Sequence, residues 1–169
     1  MKWILCILLF IPALQEWILV SDADASFSFQ MPKAPDQSRD SIESEAGMVY
    51  VKTFSCSEGQ IIYMVNLTTY PEGLNFFNME DSLSEYLIEA IRDQMISQLE
   101  GDLSYQYAKE FDGIPGEVFQ MTFGQDSSVV KMAVIPFFNH LLTLQYFCDY
   151  NSRQNKEVDK FFDSFRYQR

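Results

Sequence analysis

Residues 103–148 decide the fold and read LSYQYAKEFDGIPGEVFQMTFGQDSSVVKMAVIPFFNHLLTLQYFC. The stretch is rich in aromatic and β-branched residues, and short turn segments with glycine, proline or asparagine divide it. Short turns join antiparallel neighbours. The stretch therefore predicts four consecutive antiparallel strands, over residues 103–111, 117–123, 129–135 and 141–148.

Three further strands are predicted upstream of this stretch. Residues 26–31 alternate between apolar and polar side chains and stop at Pro32. Residues 48–56 and 60–70 form a hairpin around Ser57-Glu58-Gly59. The polar residues 33–46 between the first and second strands predict a loop.

Two helices complete the pattern. Ser82 and Glu85 have the spacing of a capping box, and apolar residues then recur at helical spacing as far as Gly101. A second helix is predicted from about residue 155, because Val158, Phe161, Phe162 and Phe165 share one of its faces.

The order of elements is β-β-β-α-β-β-β-β-α. Each helix has a single apolar stripe, which must be buried against another element. We therefore predict an α+β fold in which an antiparallel sheet of about seven strands is covered by helices, in one domain over residues 26–169.

The first 25 residues predict a cleavable signal peptide. Lys2 precedes an apolar run over residues 3–14, and Ser21-Asp22-Ala23-Asp24-Ala25 offers small residues for a leader peptidase. We expect cleavage after Ala25 and a periplasmic or secreted product with no membrane span. The alternative is an uncleaved N-terminal anchor. Both tryptophans lie before the expected cut.

The acidic composition limits the classes of partner. The chain has 24 acidic and 12 basic side chains and a formal net charge of −12. Such a charge repels phosphate backbones and anionic lipid head groups. A nucleic-acid-binding role is therefore not expected, whereas a soluble exported protein fits.

Three local patterns, in this order along the chain, carry a resemblance. They are Phe27-Ser28-Phe29-Gln30-Met31-Pro32, Gly113-Ile114-Pro115-Gly116-Glu117 and Phe161-Phe162-Asp163-Ser164-Phe165. With the element order, they make residues 26–167 similar to the PsbP-like fold family, which includes bacterial exported domains of unknown function and shares its fold with a Ran-binding import factor.

The resemblance implies an accessory or binding role rather than catalysis. Some photosynthetic members assist a metal cluster, partly through histidines, whereas this chain has only His140. No functional residue is carried over from the family, and neither a cofactor nor a metal is expected.

Cys56 and Cys148 would be the two cysteines of a protein cleaved after Ala25, and both lie near the ends of predicted strands. One alternative is a disulfide, which an oxidising compartment would favour and which would stabilise the fold by about 3–4 kcal/mol in the chain-entropy model. The other is a pair of buried, inert thiols.

Motifs for catalysis are missing from the sequence. There is no Gly-x-Ser-x-Gly elbow and no phosphate-binding glycine loop. His140 is interpreted as a solvated turn residue, and Glu80, Asp81 and Glu85 as charges that favour the start of a helix. We therefore expect a protein that is not an enzyme.

The loop before the first helix is the candidate partner-binding site. It places Leu74, Phe76, Phe77 and Met79 close together, and an apolar loop that does not pack inward is a patch for a partner. The leading hypothesis is thus an accessory or protein-binding module of the cell envelope. The alternatives are a carrier of a small apolar ligand and a hydrolase whose site is assembled only by folding.

Overall fold

Ten strands and two helices follow one another in the computed structural model, which describes residues 16–44, 47–76, 81–153 and 155–168, the side chains of residues 81–83 excepted. The elements are β1 (Ile18–Asp22), β2 (Phe27–Met31), β3 (Asp36–Ser44), β4 (Gly47–Glu58), β5 (Ile61–Thr69), α1 (Asp81–Leu99), β6 (Asp102–Phe111), β7 (Ile114–Phe123), β8 (Ser128–Phe137), β9 (His140–Asp149), α2 (Lys156–Asp163) and β10 (Arg166–Tyr167).

Seven of these strands form the main sheet, in the order β3-β4-β5-β9-β8-β7-β6. Every neighbouring pair is antiparallel. The remaining strands form a small sheet in the order β1-β2-β10. The predicted α+β class and the antiparallel sheet of seven strands are confirmed.

The first face of the main sheet packs against the small sheet and α2. Phe29 of β2 meets Phe54 of β4 with ring centroids 5.3 Å apart, and Phe161 of α2 meets Tyr63 of β5 at the same distance. These aromatic side chains are fully or almost fully buried. The Gln30 amide donates to Ser164 Oγ at 2.9 Å, which ties the end of α2 to β2.

The second face packs against α1. Alternate residues of a strand point to opposite faces, so the other half of the apolar side chains in β7 and β8 meets Ile88 and the half-buried side chains of α1. The main sheet therefore has a core on each side. No helix within the described residues is long and apolar enough to cross a membrane.

Four strands were not predicted as they are found. β10 lies where the second predicted helix was expected to continue, because α2 ends at Asp163, before Phe165. β2 lies in the small sheet rather than in the main one. β3 replaces a predicted loop, because every residue of this edge strand is exposed and no apolar alternation marks it. β1 lies in the segment assigned to the signal peptide and pairs with β2 from Ile18↔Met31 to Asp22↔Phe27.

The turn from β6 to β7 explains the glycines of the pattern at residues 113–116. Gly113 has a φ of 85°, a conformation that favours glycine. A Cβ atom at Gly116 would lie 2.6 Å from the Val134 carbonyl oxygen. Each glycine is thus required by the backbone.

Candidate functional site

A cleft of about 320 Å³ opens where the turn after β1 meets the β3-β4-β5-β9 half of the main sheet. Strand pairing places the lining residues side by side. Arg39 of β3 pairs with Lys52 of β4, Lys52 pairs with Leu67 of β5, and Thr69 of β5 pairs with His140 of β9. Cross-strand partners lie on the same face of a sheet. The titratable side chains that line the cleft are Asp22, Asp24, Arg39, Asp40, Tyr50, Lys52 and His140.

Asp22, the last residue of β1, is the most buried of these groups, with an exposed fraction of 3%. Its Oδ1 accepts hydrogen bonds from the amides of Asp24 and Ala25, each at 3.1 Å. Its Oδ2 accepts a hydrogen bond from Lys52 Nζ and completes an ion pair with it. Both carboxylate oxygens therefore have partners, as a buried charge requires.

The pKa of Asp22 reflects this balance. Burial alone would raise it, but the hydrogen bond from Lys52, the Ala25 amide, the Lys52 charge and the Asp24 amide together outweigh burial, so the pKa is lowered. Asp22 is consequently a carboxylate at neutral pH, and it anchors the turn that forms one wall of the cleft.

His140 is half-buried in the wall of the cleft, not a solvated turn residue as the sequence indicated. Its Nδ1 lies 3.0 Å from Thr69 Oγ1, and its ring centroid lies 5.2 Å from that of Phe137. Burial lowers the pKa of the imidazole, although the negative charge of Asp22 opposes the shift. His140 is therefore predominantly neutral at neutral pH.

The Thr69 and His140 pair has the composition of a nucleophile and a base, and among the described residues no third group is found that orients His140 as a catalytic base. Both oxygens of Asp22 are engaged elsewhere. The described residues contain no group of three or more His, Cys, Asp or Glu side chains that could hold a metal ion. The cleft offers charges and hydrogen-bonding groups to a ligand.

The structure resolves the two alternatives for Cys56 and Cys148 in favour of free, buried thiols. The cysteines belong to β4 and β9, and β5 lies between these strands. Two interstrand spacings are roughly 9.6 Å, whereas a disulfide spans at most about 7 Å between Cα atoms. The disulfide is excluded in this arrangement by the intervening strand.

Thiol counting tests this arrangement. Burial raises the pKa of both thiols, so the reactive thiolate is scarce at neutral pH. For a protein that begins at Glu16 and so lacks Cys6, we expect almost no reaction with a thiol reagent in the folded state and two equivalents in denaturant. Fewer than two equivalents in denaturant would contradict the arrangement.

The apolar loop predicted as a partner-binding site is only partly within the described residues. Phe76 is a core residue, because it is buried, its ring meets Tyr70 edge-on at 5.6 Å, and its amide donates to the Phe138 carbonyl. Leu74 is half-buried. Phe77 and Met79 lie outside the described residues, as does Glu80 of the acidic cluster. A partner role for Phe76 is thus contradicted by its packing.

Sequence reasoning missed most of the cleft. Asp22 and Asp24 were assigned to the leader, while Arg39 and Asp40 lay in a predicted loop. One local signal exists, because Asp22-Ala23-Asp24 follows the apolar residues 17–20 and Ser21, and aspartate favours turns of this kind. Such a signal indicates a strand followed by a turn, although it does not reveal Lys52 or His140 as neighbours.

The two packed faces, the element order and the small sheet define the class, which is the α+β sandwich of the PsbP-like fold. The chain matches the solution structure of cyanobacterial PsbP (CyanoP) from Synechocystis sp. PCC 6803 with a TM-score of 0.60, over 92% of this chain and 95% of that one, at 11% sequence identity. The predicted resemblance in fold is thereby confirmed. No protein-family model matches the sequence, and no curated protein does.

Proposed function

We propose that this protein is an exported, non-enzymatic module that binds a polypeptide partner. The observation that carries the proposal is an apolar surface on the β3–β4 hairpin, which we call the arm and define as residues 40–44 and 47–50. Met48 and Tyr50 lie on one face of the arm and are 40% and 57% exposed, whereas Ile42, which pairs with Val49, lies on the other face and is 56% exposed. Neighbouring exposed apolar side chains are characteristic of interaction sites.

The arm is continuous with the cleft. Tyr50 belongs to both, and Met48 lies on the same face of β4 because it is two residues away. A partner segment that lies along the arm would therefore place one of its side chains in the cleft. The apolar contact supplies affinity and the cleft supplies selectivity.

The charges of the cleft favour a basic side chain from the partner. Lys52 is committed to Asp22, which leaves Asp24 and Asp40 against Arg39 among the lining charges. Lysine or arginine beside an apolar residue would suit this balance and the net charge of −12. A purely apolar ligand would leave these charges without partners, which counts against the carrier alternative.

Export is proposed from the sequence. Lys2, the apolar run over residues 3–14 and the acidic composition are typical of an exported protein. The non-enzymatic character is supported by the engagement of both Asp22 oxygens and by the lack of an orienting group for the Thr69 and His140 pair.

Replacement of the two exposed apolar residues that share the face of the cleft tests the arm. Threonine keeps the β-propensity of the strands, so we expect Met48→Thr and Tyr50→Thr together to leave the fold intact. Crosslinked capture of a specific polypeptide from the native envelope should fall at least about tenfold, as expected when two or more hot-spot residues are lost.

Tyr86→Thr is the matched control, because Tyr86 is a largely exposed aromatic residue on α1 and so lies on the opposite face of the sheet. It should leave capture unchanged. Circular dichroism checks that all variants are folded. Equal capture by the double variant and the wild type would refute binding through the arm.

A further inference from the structure

A second cavity, of about 280 Å³, lies on the first face of the main sheet, between the β6-β7-β8 edge and the start of α2. We call it the basic pocket, because Lys131, Arg153 and Lys156 line it together with one acid, Asp159. Acidic side chains outnumber basic ones by 24 to 12 in the whole chain. Three cations against one carboxylate therefore reverse the local charge.

Lys131 is a half-buried cation of the pocket, with a side chain that is 13% exposed. Its ammonium lies 5.2 Å from the centre of the Phe162 ring. Its ion-pair partner among the described residues is Asp159, whose Oδ1 is 3.4 Å away and whose side chain is 76% exposed. Lys131 thus makes one long hydrogen bond to a largely solvated carboxylate, which compensates a half-buried cation only in part.

Arg153 presents a fixed set of donors to the same pocket. Its guanidinium carbon lies 3.8 Å from the centre of the Tyr150 ring, and Nη1 donates to the Tyr150 carbonyl at 2.8 Å. The other guanidinium N–H groups make no hydrogen bond within the described part of the chain. A guanidinium held in this way loses little entropy when it binds an oxyanion.

The backbone amides at the start of α2 contribute little to ligand binding in the pocket. The amide of Glu157 donates to Asn155 Oδ1 at 3.0 Å, so the N-cap already satisfies it. Tyr105 donates its hydroxyl to Gln120 Oε1 at 3.0 Å. The charged donors of the pocket are the cationic groups of Lys131, Arg153 and Lys156, and the side-chain amides of Gln120 and Asn155 also line it.

We propose that the basic pocket binds a small dianionic oxyanion of the phosphate type, with Lys131 and Arg153 as its direct ligands. Three cations and one carboxylate leave two positive charges, which a dianion neutralises. The cavity is close to the lower size limit of ligand sites, about 300 Å³, and suits a small ion better than a large molecule. Asp159 competes with the ligand for Lys131.

Titration with inorganic phosphate at constant ionic strength tests the proposal. Calorimetry, or amide shifts of residues 131 and 153, should show saturable binding by the wild-type protein. Lys131→Met keeps the length of the side chain and should weaken the binding of phosphate at least tenfold. Asp159→Asn removes the competing carboxylate and should tighten the binding of phosphate about threefold or more.

Lys160→Met is the matched control, because it makes the same change in net charge at a lysine of α2 that lies outside the pocket. Lys160 lies 4.4 Å above the Trp17 ring and is not part of the pocket wall. Phosphate affinity should change less than twofold in this variant. Sulfate, a second tetrahedral dianion, should compete with phosphate, whereas acetate should not.

Four results would overturn the proposal. The first is that phosphate shifts the amide signals no more than chloride does, and the second is that Lys131→Met and Lys160→Met weaken phosphate binding equally. The third is that Asp159→Asn binds phosphate more weakly than the wild type, and the fourth is that acetate binds as tightly as phosphate. If Lys131→Met does not fold, Arg153→Gln replaces it, because Arg153 is half-exposed and its removal leaves no cavity. The Arg153→Gln variant must also bind phosphate at least tenfold more weakly than the wild type.

Discussion

A protein that begins at Ser26 is expected to be less stable than one that begins at Glu16 by at least about 3 kcal/mol. The shorter protein lacks β1, which pairs with β2 along its whole length. It also lacks Val20 and Ala25, both of which are buried in the core of the first face. The difference in stability between the two proteins measures how much β1 contributes to the fold.

The expected loss comes from several contributions. Burial of a valine side chain stabilises a protein by about 1.5–3 kcal/mol. Trp17 adds an edge-on contact with Tyr63, at 5.7 Å between ring centroids, and such aromatic pairs contribute about 0.5–1.5 kcal/mol. Loss of β1 also leaves one edge of β2 unpaired and removes Asp22, the partner of Lys52.

Urea unfolding followed by circular dichroism measures the difference between the two proteins. Trp17 is the single tryptophan of the longer protein and gives it an additional fluorescence signal from the core. Leu19→Ser in the longer protein is the control, because Leu19 is largely exposed and its loss should cost less than about 0.5 kcal/mol. Coincident unfolding curves for the two proteins would contradict a structural role for β1.

The result bears on the predicted signal peptide. Cleavage after Ala25 stays a prediction, and it would remove β1, the tryptophan and the Asp22 wall of the cleft together. Sequencing the N-terminus of the exported protein decides where the leader ends. A mature protein that retains Trp17 would keep the fold described here intact.

The strands of the main sheet differ in how well the sequence predicts them. β7, β8 and β9 are buried on both faces, so apolar residues dominate and the glycine and asparagine turns mark their ends. β3 has no buried face, and its polar composition is therefore the same as that of a loop. The apolar pattern of a sequence indicates which residues are buried. It does not indicate the backbone conformation of an exposed strand.

The cleft could not be predicted for a different reason. Asp22 and Lys52 are 30 residues apart, and Thr69 and His140 are 71 apart. Only the pairing of β5 with β9, and the position of the small sheet over the main sheet, bring these groups together. Strand register is a tertiary property, so isolated motifs in the sequence carry no information about it.

Lys52→Met is the second variant with a large expected effect. Removal of the lysine leaves the Asp22 carboxylate buried with two backbone amides as its remaining donors. Loss of one partner from a buried ion pair costs about 3–5 kcal/mol. Methionine keeps the length of the side chain, so lost packing adds little. Urea unfolding at pH 7 measures the loss.

The pH dependence distinguishes this charge effect from lost packing. In the wild type the lowered pKa of Asp22 stabilises the fold above the unfolded value of about 3.9, and this contribution is lost as the pH falls through the folded pKa. In Lys52→Met the pKa of Asp22 rises, because burial is then opposed by fewer groups. The stabilities of wild type and variant should therefore converge once the pH is below the folded pKa of Asp22 in the wild type.

A double-variant cycle isolates the contribution of the ion pair. Asp22→Asn retains an oxygen for the amides of Asp24 and Ala25, so the double variant should be more stable than Lys52→Met alone. Lys109→Met is the control, because its ion pair with the exposed Asp163 should contribute less than about 1 kcal/mol. If Lys52→Met cost no more than this control, or its deficit persisted at low pH, Asp22 would not depend on Lys52 for its burial.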